Sequence, residues 1–147
     1  MNIQREISSY FISYCILTLL IVYIFKIPNL ITGQTALIKE YYYTNSVSSF
    51  FLDLFLIYFY IKIASYIAKA FKINTSYKKI LLVSLITLMI STSFMFLFLK
   101  QNNNLFFTRW FKSAGFNAVL YDIVIVTSIF ILSSYTIKII KQHKNSD

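Results

Sequence analysis

The run SVSSFFLDLFLIYFYIKIASY, residues 46–66, decides the fold. Its 21 positions hold eleven Val, Leu, Ile or Phe residues and neither Gly nor Pro. As a helix it rises about 30 Å, the thickness of a bilayer's hydrocarbon core. The eleven apolar side chains are worth roughly 3–7 kcal/mol of insertion free energy, against roughly 3 kcal/mol for one acid at the centre. The segment therefore crosses a membrane despite Asp53, and Lys62, one turn from its far end, snorkels toward the headgroups.

The rest of the chain reads the same way. Of 147 residues, 58% are hydrophobic and only 13% charged, with two Gly and one Pro, and this composition lies outside soluble globular usage. Apolar runs recur, and the expected architecture is all-α: one polytopic four-helix transmembrane bundle over residues 1–147, with spans at about 7–25, 46–66, 80–99 and 116–140. The first run has no clearly basic leader and no small-x-small cleavage site, so it is expected to be retained as a span. A lone Cys15 excludes an internal disulfide and any Cys-based metal site, and reads as a small buried hydrophobe.

Two connections separate spans one from two and three from four. Residues 26–45 carry Leu30, Ile31, Leu37 and Ile38 and then Tyr41, Tyr42 and Tyr43, which suits an interfacial segment with phenols at headgroup depth. Residues 100–115 mix Arg109, Trp110, Phe111 and Lys112, an interfacial helix leading into span four. Within span three, Ser84, Thr87 and Ser91 fall three and four apart and form one polar stripe, fitted either to a facing helix or to their own backbone.

Lys and Arg set the orientation. Nine lie on the side of the termini and the 67–79 loop, and five, Lys26, Lys39, Lys100, Arg109 and Lys112, lie on the other, so both termini are expected in the cytoplasm. The net charge of +9 is thereby explained by topology and by anionic headgroups, and nucleic acid is not an expected partner.

A shift of 69 positions superimposes Asp53 on Asp122, Ser65 on Ser134, Tyr66 on Tyr135, Lys69 on Lys138 and Lys72 on Lys141. Chance and a duplicated helical hairpin, two parallel copies about an axis along the membrane normal, both remain open. On helical spacing Asp53 shares a face with Ser49, Ile57, Tyr60 and Ala64, and Asp122 with Ala118, Val126, Ile129 and Ser133. Those faces are expected to turn inward. An acid there must be paired, hydrogen-bonded or protonated. Arg109 and Lys112, at the same membrane end, are the expected countercharges, Lys39 a further one, and Tyr, Ser or Thr hydroxyls the neutral alternatives.

Two functions follow from the acids. They fix helix register in a structural or assembly subunit of a membrane complex, as a homo-oligomer or with other membrane subunits, which is the leading expectation. Alternatively they form the ion or proton site of a small cation channel or carrier, because intramembrane acids mark such pathways. Spans with so little Gly and Pro lack the broken helices of carriers, which favours the first. The chain carries no His or Cys cluster, phosphate loop, Ser nucleophile motif or paired metal ligands, so neither enzyme activity nor a cofactor or metal is expected. His143, in the polar tail, reads as a solvated residue.

The run RWFKSAGFNAVLYD, residues 109–122, resembles small uncharacterised multi-span membrane proteins of large DNA viruses. The resemblance covers about the last quarter of the chain and carries no functional residue across. It implies a component of a virion or infected-cell membrane, and the heavy use of Ile, Phe, Tyr, Lys and Asn agrees with an AT-rich genome.

Overall fold

A computed structural model describes residues 3–144, and of residues 3 and 140–144 only the backbone. The side chains of Lys141, His143 and Lys144 lie outside the described residues. The protein is all-α. Helix α1 (Ile3–Thr18) runs on as a π-helical segment, Leu19–Ile24; α2 (Ile27–Thr32) and α3 (Thr35–Lys39) follow, and α3 continues into a second π-helical turn, Glu40–Thr44. The remaining helices are α4 (Ser46–Ala70), α5 (Ser76–Leu99), α6 (Phe106–Ala114) and α7 (Phe116–Lys144). Four stretches are long and apolar enough to cross a membrane: Gln4–Ile24, Ser46–Ala70, Ser76–Leu99 and Phe116–Ile139.

The starts at Ser46 and Phe116 and the end at Leu99 fall where the sequence puts them, whereas α4 and α5 extend further toward each other. Only residues 71–75 separate them. Helix α4 closes with Lys72 in the left-handed region (φ 53°) and Ile73 N–H donating to Ala68 C=O, a wrap that satisfies the last carbonyls. At the other end Gly115 turns the chain from α6 into α7 at φ 54°, ψ −133°, a conformation that a Cβ would forbid.

The four long helices run alternately up and down, so α2, α3 and α6 gather at one end and the termini at the other. Helix α7 is central and packs along α1 and α5; α2 folds back against it. Small residues permit the approach of α1 and α7: Ser9, Ser13, Ala118 and Val119 are fully buried, and Ser9 Oγ donates to the Ser133 carbonyl at 2.8 Å. Helix α4 packs on α5 and meets α1 at few backbone positions. Tyrosines fill that seam. Tyr10 Oη donates to the Leu54 carbonyl at 2.5 Å and Tyr14 Oη to the Phe50 carbonyl at 2.8 Å, while Lys62 pairs with Glu6 at 2.5 Å further down.

The faces expected to turn inward do so. Ser49, Ile57, Tyr60 and Ala64 of α4 are buried, as are Ala118, Val126, Ile129 and Ser133 of α7. The outward faces carry Phe55, Phe59, Val47, Leu85, Met89 and Leu97, all more than half exposed.

Candidate functional site

Asp53 and Asp122 sit in the second turns of α4 and α7, at the end covered by the two connections. Both are half-buried, and both line one cavity of about 170 Å³. Its walls are otherwise aromatic and aliphatic, with the Tyr42, Tyr60 and Tyr121 phenols as the other polar groups. Water takes about 30 Å³ per molecule in the liquid, so there is room for several waters or a small solute.

Each acid is held by a hydroxyl. Tyr41 Oη donates to Asp53 Oδ1 at 2.7 Å, and Ser91 Oγ donates to Asp122 Oδ2. The expected countercharges are elsewhere, which corrects that expectation. Arg109 forms a two-pronged pair with Glu40, Nη1 to Oε2 at 2.7 Å and Nη2 to Oε1 at 2.5 Å. Lys112 is exposed and reaches Asn102 Oδ1 at 3.4 Å. The reason is geometric: Glu40 stands at the start of the turn facing α6 and is bidentate-ready, while Asp53 and Asp122 lie below a layer of rings that no cation of α6 crosses.

That layer corrects a second expectation. Of the residues assigned to the interface, Tyr43 is 48% exposed, but Tyr42 and Trp110 are buried and Tyr41 points into the bundle. The wide π-helical turn directs Tyr41 onto Asp53 and Tyr42 onto Tyr121, the Tyr42 and Tyr121 hydroxyls meeting at 2.8 Å. The Tyr41 ring stacks on Phe106 at 4.6 Å, and Phe106 stacks on Trp110 at 6.0 Å. Ser49 Oγ braces the turn by donating to the Tyr41 carbonyl at 2.7 Å. Burial and the neighbouring Asp53 push the Tyr41 phenol well above its ordinary range, and burial does the same to Tyr42, so both remain hydrogen-bond donors.

The polar stripe faces α7. Ser84 Oγ lies 3.0 Å from Thr127 Oγ1, Thr87 bonds back to the Val83 carbonyl at 2.9 Å, and Ser91 reaches Asp122. Tyr60 enters the site from the face that helical spacing gives it in common with Asp53; Tyr42, Tyr121 and Glu40 belong to the site without a sequence signal toward the acids, except that Glu40 is the single acid in either connection. Among the described residues no three His, Cys, Asp or Glu side chains are placed to hold a metal ion.

No family model, no curated protein and no solved structure matches this chain.

Proposed function

We propose that the protein is a multi-pass integral membrane protein whose Asp53–Asp122 cavity takes up a proton or a small cation. The bilayer reading rests on the four long apolar helices and on their outward Phe, Leu and Val faces, far more apolar surface than a water-facing protein leaves open. The observation that carries the site is the sharing of one cavity by two carboxyls, neither of which meets a basic side chain among the described residues. One hydroxyl donor does not balance a carboxylate removed from water, and a proton or a cation entering the cavity does. The positive-inside count supports termini in the cytoplasm, with the acids near the opposite surface.

The assembly reading keeps one specific observation. The same hydrogen bonds join α5 to α7 through Ser91 and Asp122, and the first connection to α4 through Tyr41 and Asp53, so the acids also fix packing. Glu40 and Arg109 favour the duplicated-hairpin view, because they are 69 positions apart, the offset that matches the two acids. The viral resemblance would place such a subunit in a virion or infected-cell membrane.

Reconstitution separates the readings. Loss of a pH-dependent flux in liposomes on Asp53→Asn and Asp122→Asn, with fold and assembly intact, supports the ion site. Unchanged flux with lost assembly supports the subunit, and no change in either property sinks both.

A further inference from the structure

At the end opposite the acid cavity, α4, α5 and α7 leave a crevice of about 440 Å³. Its rim carries Lys69, Lys79 and Lys138 together with Ser65, Ser134 and Asn74; its depth is apolar, with Ile61, Phe130 and Ile137. Lys69 and Lys138 each stand sixteen residues beyond an acid on the same helix, about 24 Å further along the axis. Ser65 with Lys69 and Ser134 with Lys138 are two further matched pairs of the 69-residue shift, and all four residues open onto this one crevice.

Among the described residues none of the three lysines forms an ion pair. The one acid on the rim, Glu6, is engaged by Lys62. A second crevice of about 270 Å³ adjoins it, sharing Lys79, Ser134 and Lys138 and reaching Ser76 in the first turn of α5, where the helix dipole adds positive potential. Three ammonium groups without an ion pair among the described residues, together with two hydroxyls over an apolar floor, match a phosphate joined to a hydrocarbon tail. Free phosphate would meet the cations but leave the floor without a partner.

We infer that this crevice binds the phosphate headgroup of an anionic lipid, with the acyl chain running down between α4 and α7. The site rests on the bilayer reading above and is independent of what the acid cavity carries.

The test is native mass spectrometry of the full chain in detergent, offered phosphatidic acid and phosphatidylcholine in equal amounts. Phosphatidic acid is expected to be retained in preference, at about fivefold per lysine engaged. The double variant Lys69→Gln, Lys138→Gln should lose at least about tenfold of that preference, and Lys72→Gln, Lys78→Gln, which removes two charges from the same end outside the crevice, less than about twofold. Lys69→Arg with Lys138→Arg should keep it. Equal loss in the two glutamine variants would reduce the effect to diffuse surface charge and overturn the site. Full displacement of the lipid by inorganic phosphate would make a soluble anion the occupant and overturn the lipid assignment. A chain that stays in water without detergent would overturn the bilayer reading itself.

Discussion

Glu40 and Arg109 are 69 positions apart and grip each other through two hydrogen bonds, tying the turn before α4 to the helix before α7. The proposed duplication would put the two residues at equivalent places beside its twofold axis. The acids in one cavity and the Ser-Lys pairs in one crevice lie along the same line of matched positions. Helix packing departs from the symmetry that the proposed duplication would impose, since α5 and α7 are in close contact along their length while α1 and α4 are joined mainly through tyrosines.

The ion pair makes the cover over the acid cavity sensitive to pH. Hydrogen bonds from Arg109 hold the Glu40 carboxyl below its ordinary value of 4.5. A group whose folded-state value is depressed contributes stability above its unfolded value and loses it as pH falls through the lower, folded one. Trp110, the chain's single Trp and buried beside Arg109, reports the change. Its emission is expected to hold steady down to pH 4.5 and shift to the red below it. Arg109→Gln should abolish that acid step; an identical titration in the variant would rule the pair out as its cause.

Tyr41→Phe removes the donor to Asp53 and is expected to cost about 1–3 kcal/mol, because the acid is left without that bond in a largely apolar cavity. Adding Asp53→Leu, which replaces the acceptor with an apolar group of similar shape, should recover most of the loss. Thermal unfolding in detergent, followed by circular dichroism, reads both. Simple addition of the two single-variant costs would mean that the bond contributes nothing.

Adjacent turns of α1 should respond with opposite sign. Ser9 Oγ donates to the Ser133 carbonyl, so Ser9→Ala is expected to destabilise by about 0.5–1.5 kcal/mol. Ser13 Oγ is equally buried against the bundle and has no hydrogen-bond partner among the described residues, so Ser13→Ala should stabilise by about 1 kcal/mol. The same unfolding measurement decides, and destabilisation by both would show that Ser13 has a bonding partner in the bilayer-embedded protein.

What could be read from the sequence followed from constraints that act locally. Twenty apolar residues have few alternatives to a helix, and helical spacing turns Ser49, Ile57, Tyr60 and Ala64 to the side of Asp53, where they are buried. The partners of the acids could not be read in this way. Tyr41 and Tyr42 suit a headgroup layer as well as a polar bond in the interior, and the π-helical turn that chooses the interior depends on tertiary packing. Arg109 had three acids at its membrane end to choose from, Glu40, Asp53 and Asp122, and only the folded connections place Glu40 against it.

Orientation is the remaining prediction, and the structure sharpens where to probe it. Thr75 lies in the loop between α4 and α5, and residues 101–105 lie at the opposite end, all exposed. Asn103 is a poor probe position, because its Oδ1 accepts from Thr108 Oγ1 at 2.6 Å and from Leu105 N–H at 3.3 Å and so holds the turn that leads into α6. Among the described residues Asn102 makes only the long contact to Lys112 and is the better choice. In a Cys15→Ser background, a membrane-impermeant maleimide added to intact cells is expected to label Asn102→Cys and to reach Thr75→Cys only after lysis. Lys69, Lys79 and Lys138 would then face the cytoplasmic leaflet, where anionic lipid is concentrated, and the acid cavity would open toward the other side. The reverse labelling pattern would invert both assignments and remove the lipid supply that the basic crevice requires.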